Sequence, residues 1–254
     1  MSSEQLLINL NEEQKKAVVN TDGPNLIVAG AGSGKTRVLT TKLAYLIKEK
    51  KAWPNQILCV TFTNKAAKEM QNRVINFLKG DKSAVNWLGT FHSISVKFLR
   101  RHSEALGFTS NFTILDTDDQ KKLIRKICEA ENLDSKKYSP NLILSIIDKW
   151  KNKGLLPGDI KIKNDQIEKI VLSVYKVYQQ KIKDLNCMDF GDLILYSVKL
   201  FENNEDIRKI YRNNFKYILV DEFQDTNFIQ NKWLNLLVNE NQNICCVGDD
   251  DQSI

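Results

Sequence analysis

Long apolar runs are missing from the 254 residues. The strongest, around Asn25–Ala29, Gln56–Val60 and Lys216–Val220, are strand-sized, well short of the roughly 18–20 residues that span a bilayer, which excludes membrane-spanning helices. Histidine is scarce: with only His92 and His102, and no HxxxH spacing, a histidine-rich metal centre is not expected. The cysteines Cys59, Cys128, Cys187, Cys245 and Cys246 form an odd set without a CxxC pair, so neither a disulfide framework nor structural zinc is expected. The N-terminal MSSEQLLINLNEEQKK lacks the basic stretch and long apolar segment of a secretion signal, and with the cysteine pattern this points to a reduced, cytosolic protein. Internal repeats and low-complexity linkers are absent too. What is there, 42% hydrophobic and 27% charged residues, is the composition of a soluble globular protein with one large or two modest domains.

The net charge of +6 is unevenly spread. Residues 1–108 carry 16 basic and 8 acidic side chains, 109–185 carry 15 and 11, and 186–254 carry 6 and 12. A basic front and middle before an acidic end suits a polyanion surface combined with a carboxylate cluster that could hold a cation. A Lys-, Asn- and Ile-rich composition has the same look without any such role.

Short aliphatic runs alternate with amphipathic segments in the first hundred residues. Strands are predicted near Asn25–Ala29, Ile57–Phe62 and before Thr90, with helices from Gly34 and over Asn64–Leu78; this alternation argues for βαβ units on a parallel sheet. After about residue 110 the pattern turns helical and lacks strands. Thr117-Asp118-Asp119-Gln120 reads as a capping box, Ser139-Pro140 as a cap with a first-turn proline, Gly154 as a stop, and Asp165–Asp184 as a long amphipathic helix. A helix from Asp189, a strand at Lys216–Val220, a helix over Phe228–Val238 and a strand at Ile244–Val247 restore the alternation. The expected architecture is an α/β domain interrupted by a helical insertion. Trp53, Trp87, Trp150 and Trp233 have core spacing.

Ala29-Gly30-Ala31-Gly32-Ser33-Gly34-Lys35-Thr36 lies between a strand and a helix, the context a phosphate-binding loop requires. Its glycines let the backbone N–H groups face phosphate oxygens at a helix N-terminus, Lys35 can reach the β/γ-phosphates, and the Thr36 hydroxyl can ligate Mg²⁺. Ala29 replaces the usual first glycine, which a strand end with ordinary φ tolerates. Such a loop needs a partner carboxylate on a neighbouring strand, and Lys216–Val220 runs into Asp221-Glu222. Asp221 is assigned to the metal and Glu222 to the base that activates water. A third acidic segment, Gly248 to Ile254, also follows a strand, and its Gln252 could sense a γ-phosphate.

These residues resemble the UvrD/PcrA/Rep group of superfamily 1 helicases. AGAGSGKT, VDEFQDTN at Val220–Asn227 and VGDDDQSI at Val247–Ile254 are similar to motifs I, II and III of that family. Leu10-Asn11-Glu12-Glu13-Gln14 looks like its Q motif, Val60–Ala67 (VTFTNKAA) like motif Ia, and Gly89–Ser93 (GTFHS) like motif Ib. The resemblance implies a RecA-like P-loop motor domain made of residues 1–108 and 186–254, with an all-helical inserted domain at 109–185 and Asp189-Phe190-Gly191-Asp192-Leu193 marking the return. It implies ATP and Mg²⁺ as cofactors, with Gln14 reading adenine and Arg37 flanking the base. It further implies single-stranded and forked DNA as partners, and translocation 3′ to 5′ in repair or replication. DNA contacts would come from Phe62, Thr63, Asn64, Thr90, Phe91 and His92. Phe62 and Phe91 could equally pack between sheet and helix, His92 could be structural, and Lys65 and Arg73 could touch phosphates or be merely solvated. The family continues past motif III with a second motor domain carrying arginine fingers, which these 254 residues do not contain. Two readings stay open: the N-terminal half of a helicase that works with a C-terminal motor domain from the same gene or a separate chain, or a truncated module that binds nucleotide and single-stranded DNA without helicase activity.

Overall fold

The computed structural model describes residues 2–134, 136–162 and 165–249. Two helices, α1 (Ser3–Leu7) and α2 (Glu12–Val19), precede β1 (Asn25–Val28) and α3 (Lys35–Lys48), followed by β2 (Ile57–Thr61), α4 (Asn64–Phe77) and β3 (Leu88–Thr90). Next come α5 (Phe91–His102), β4 (Thr113–Leu115), α6 (Thr117–Ala130), α7 (Pro140–Asn152), α8 (Gln166–Asp184), β5 (Cys187–Asp189) and α9 (Phe190–Asn203). The chain then runs through α10 (Glu205–Asn214), β6 (Tyr217–Val220), α11 (Phe228–Leu237) and β7 (Ile244–Gly248). Packing divides these into two compact units, one of 2–94, 204–226 and 234–249, the other of 95–203 and 227–233. The second unit takes in more chain than the insertion expected at 109–185.

The first unit is built on a five-stranded, all-parallel sheet in the order β1-β7-β6-β2-β3. Its inner strands β2 and β6 are buried at every position, as their continuous apolar runs require when helices cover both faces. Edge strand β1 alternates instead, leaving Leu26 and Val28 exposed. Leu39, Leu43 and Leu46, spaced to share one side of α3, pack with Met70 and Val74 of α4 over Cys59, Leu219 and Val247 of the sheet. Lys42, on the same helix and 1% exposed, donates from Nζ to the carbonyl oxygens of Ala17 and Asn20, closing the C-terminal end of α2 and tying that helix to α3. All five cysteines are buried thiols.

In the second unit α6, α7 and α8 surround a core of Ile124, Ile143, Ile147, Tyr175 and Tyr178. The reading of this stretch as free of strands is corrected by β4, which pairs in parallel with β5. Three residues bounded by a turn and a helix cap are too few for a periodic signal. Below β5 lies a buried ionic cluster: Lys151 Nζ is 2.6 Å from Asp189 Oδ2 and 2.7 Å from Asp192 Oδ1, and the Tyr178 hydroxyl donates to Asp189 Oδ2 at 2.8 Å. The Asp189–Leu193 segment thus locks α7, α8 and α9 together.

Local details match the sequence signals in most places and correct them in three. Ser139 accepts from the Leu142 N–H at 3.3 Å with Pro140 in the first turn, and Gly154 adopts a φ of +76° after α7. The cap of α6 is Asp116, which accepts from the Asp119 N–H at 2.8 Å, so Thr117 is already helical. Trp53 is 72% exposed rather than core, because it caps a one-turn 3₁₀ segment ahead of β2; the other three tryptophans are buried. Helix α10 falls where no element was predicted. No helix among the described residues is long and apolar enough to cross a membrane.

Candidate nucleotide site

Of the residues expected at the phosphate site, those of the glycine-rich loop, Gln14, Arg37, Asp221 and Glu222 collect at the C-terminal edge of the parallel sheet in the first unit. The loop after β1 turns through Gly32 (φ +75°) and Gly34 (φ +88°), conformations that side chains resist, and delivers Lys35 and Thr36 into the first turn of α3. Gly34 also lets Gln14 approach closely, since a Cβ there would lie 3.0 Å from Gln14 Nε2 and would press on that amide. That amide is the link from α2. Gln14 Nε2 donates to the Ser33 carbonyl at 2.9 Å, while its Oε1 and backbone N–H close a reciprocal capping box with Asn11. Gln14 is therefore fixed against the loop from behind.

A cavity of about 370 Å³ opens at the loop, lined by Ala31, Gly32, Gly34, Lys35, Thr36, Arg37, Arg73 and Glu222. It brings the loop together with Glu222. Arg73, from α4, joins the cavity wall while its guanidinium pairs with Glu69, a place beside the phosphate loop that neither its reading as a DNA-phosphate contact nor its reading as a solvated residue anticipated. The sequence suggested that the acidic strand neighbours β1. In the sheet β7 lies between β1 and β6, and the strand end that reaches Lys35 is β7's: Lys35 Nζ meets Asp249 Oδ2 at 2.9 Å, with both side chains buried. Asp249 lies in the acidic segment expected at a strand end, but its pairing with Lys35 across 214 positions, and the part of Gln224, carried no sequence signal.

Asp221 is 1% exposed and accepts a long hydrogen bond from the Thr61 hydroxyl at 3.4 Å on Oδ2. Burial, reinforced by the Glu222 charge, pushes its carboxyl up to about 6. Its Oδ1 is buried without a hydrogen-bond partner among the described residues. An unmet carboxylate oxygen of this kind fits a hard cation, which needs only one or two protein carboxylates when phosphate oxygens complete its shell. Among the described residues no group of three or more His, Cys, Asp or Glu gathers as a self-sufficient metal site. Glu222 is half-buried and holds a φ of +49°.

The residues expected to face DNA separate by exposure. Thr63 and Asn64 are exposed at the start of α4, where the Thr63 hydroxyl caps the helix by accepting from the Ala66 N–H at 3.1 Å. Phe62 is half-buried, its ring centroid 5.4 Å from that of Phe91. Phe91 is 1% exposed, so it belongs to the core and offers no face to a base. Thr90 is buried and accepts from the Ser93 N–H at 3.1 Å through its hydroxyl. His92 is half-buried, and desolvation lowers its pKa. Gln252 lies outside the described residues.

A parallel sheet whose first strand feeds a glycine-rich loop and a helix opening on Lys-Thr, with an Asp-Glu pair ending an inner strand, defines a P-loop nucleotide-binding fold of the RecA-like helicase motor type. The UvrD/REP helicase N-terminal domain family matches residues 10–254, and the chain belongs to it. It is 48% identical over 250 residues to the ATP-dependent DNA helicase PcrA of Staphylococcus epidermidis, covering 98% of this chain and 34% of that protein. It is 46% identical over 258 residues to the probable DNA helicase II homolog of Rickettsia conorii, covering 100% of this chain and 39% of the relative. A DNA helicase II from Rickettsia typhi matches at 46% identity with the same 39% share of its length. The chain thus spans little more than a third of the length of these relatives.

Proposed function

We propose that the chain is the ATP-binding N-terminal part of a cytoplasmic ATP-dependent DNA helicase that couples hydrolysis to 3′–5′ movement on single-stranded DNA and to unwinding of forked DNA in repair or replication. The observation that carries this is the cavity shared by Lys35, Thr36, Arg37 and Glu222, with Asp221 next to Glu222 in the chain and its Oδ1 buried without a hydrogen-bond partner among the described residues. Gly30, Ala31, Gly32 and Gly34 turn backbone N–H groups to phosphate, while Ala29 and Ser33 shape the loop, their N–H groups donating to the carbonyls of Gly248 at 3.1 Å and Gly30 at 3.3 Å; Lys35 neutralises the phosphate, Gln14 reads adenine from α2, and Arg37 flanks the base. Thr36 and Asp221 would hold Mg²⁺, which when bound offsets charge on the phosphates. Glu222 takes the proton of the attacking water, and Gln252 senses the γ-phosphate. On the DNA side Phe62 stacks on a base and Thr63, Asn64, Thr90 and His92 line the strand, with the backbone of Thr90 making its contact because its side chain is buried. A C-terminal motor domain, from the same gene or another chain, completes the machine.

The test is calorimetric titration with Mg·ATP, of the 254-residue chain and of Lys35→Ala, together with turnover by a full-length protein carrying Glu222→Gln. The variant at Glu222 is expected to bind nucleotide and lose hydrolysis. Normal turnover by it would remove Glu222 as the base, and unchanged affinity in a folded Lys35→Ala chain would remove the loop as the site. Binding of nucleotide and DNA by a full-length protein that never unwinds would favour the module without helicase activity.

A further inference from the structure

A line of contacts runs from the phosphate loop to Glu222 through a residue that has no role so far. Lys35 pairs with Asp249, the backbone N–H of Asp249 donates to Gln224 Oε1 at 3.1 Å, and Gln224 Nε2 donates to Glu222 Oε2 at 2.8 Å. One amide therefore spends its acceptor on the strand end that carries the Lys35 counter-ion and its donor on the base. There is little slack around it: a Cβ on Gly248 would sit 3.0 Å from Gln224 Oε1. Glu222 meanwhile holds its left-handed backbone, which a residue with a side chain keeps only when its surroundings impose it.

We propose that Gln224 is a positioning residue that conveys the occupancy of the phosphate loop to Glu222. The proposal rests on the nucleotide reading above. Phosphate at the loop competes with the Asp249 carboxylate for the Lys35 ammonium, because both are anions and the loop N–H groups favour the phosphate. Asp249, 2% exposed, then gives up its ion pair with Lys35, and the end of β7 readjusts. Readjustment of the Asp249 N–H pulls on Gln224 Oε1, and the same rigid amide re-aims the carboxylate held by Nε2. The planar amide of Gln224 accepts at one end and donates from the other, and neither glutamate nor alanine in its place keeps both functions. Glutamate keeps the acceptor alone, and alanine keeps neither.

The experiment is nuclear magnetic resonance of the 254-residue chain titrated with Mg·AMPPNP, following the amides of Gly32–Thr36 and Asp249 and the side-chain carboxyl carbon of Glu222, assigned through Glu222→Gln. In the wild type all three sets are expected to shift together. In Gln224→Ala the loop amides and Asp249 still shift while the Glu222 response is lost. Gln224→Glu, which retains the acceptor for Asp249 and sets a like charge beside Glu222, displaces the Glu222 resonance before nucleotide is added and abolishes its response; this variant decides the matter should the alanine variant not fold. A Glu222 response of wild-type size in either variant overturns the relay. So does a wild type in which the loop and Asp249 shift and Glu222 does not. Loop amides indifferent to nucleotide overturn the nucleotide reading, and the relay with it.

Discussion

Lys35 does two jobs, and the second makes its removal costlier than the loss of a phosphate contact. The pair with Asp249 is buried on both sides, so Lys35→Ala leaves a carboxylate without its counter-ion in a dry place. Such a loss typically destabilises by about 3–5 kcal/mol. Lys35→Ala is therefore expected to lower the unfolding free energy by that order in urea denaturation, and Lys35→Ala with Asp249→Asn to recover most of it, both without nucleotide binding. A single variant as stable as the wild type would show that the pair does not form in solution. His92 makes a pH-dependent prediction. Desolvation lowers its pKa below the ordinary 6.5, so the folded protein prefers the neutral ring and the unfolded chain takes up protons first as pH falls. The stability His92 contributes is complete above about 6.5 and is lost as pH falls below it. Urea midpoints at pH 7.5 and 5.5 should drop less in His92→Gln than in the wild type, and an equal drop would place the histidine in water. At this scale the sequence revealed side chains whose chemistry follows from local context, the loop glycines, Lys35, Thr36 and Asp221-Glu222. It hid the pairing of Asp249 with Lys35 and the part of Gln224, because these depend on strand order, and it misplaced Trp53 and left Phe91 open between core and base contact, because an aromatic residue beside a strand end reads alike whether it points inward or outward.

Among the elements, legibility followed length and the signals at the boundaries. Helices α3, α4, α7 and α8 announce themselves by an apolar stripe and a cap or a stop, and β2, β6 and β7 by continuous apolar runs that are buried at every position but Ile244. Helix α10 escaped although Ile207, Ile210 and Tyr211 share one side of it, because it is only ten residues long and Asn204 makes no side-chain cap at its start. β4 escaped because three residues carry no period. The cap of α4 links element to site, since Thr63 Oγ1 satisfies the Ala66 N–H at the point where DNA is proposed to pass. Thr63→Ala is expected to lower stability by about 1 kcal/mol, as loss of a cap does, with Thr63→Ser close to wild type. Thermal unfolding of the three proteins checks it. An alanine variant as stable as the serine one would mean the cap contributes nothing, and any change in DNA affinity that serine restores would then belong to the hydroxyl's contact with the strand.

On the scale of the whole molecule, charge and coverage decide what 254 residues can accomplish. An excess of eight basic groups over residues 1–108 gives the segment bearing Phe62, Thr63 and Asn64 the sign needed to attract a phosphodiester backbone, whereas residues 186–254 carry twice as many acidic as basic side chains around Asp221 and Glu222. Binding of single-stranded DNA should therefore weaken with salt, log K falling against log salt by about 0.7 per phosphate contact released. Phe62→Ala should weaken it by a further 1–3 kcal/mol or so, whatever the base sequence, if the ring stacks. Movement is a different matter. Catalysis draws on contacts stronger in the transition state than in the ground state, and the cations within the described cavity, Lys35, Arg37 and Arg73, all stand on one lobe. A strand is advanced only when two grips alternate, opening and closing around nucleotide, and relatives about 2.5 to 3 times as long have room for the second. The 254-residue chain is thus expected to bind oligonucleotides in a salt-dependent manner, to hydrolyse ATP slowly, and to displace no strand from a forked duplex. Adding the separately produced remainder of a full-length relative should restore DNA-stimulated turnover. Robust unwinding by the purified chain alone would show that a single lobe suffices, and salt-independent DNA affinity would move the binding surface away from the basic segment.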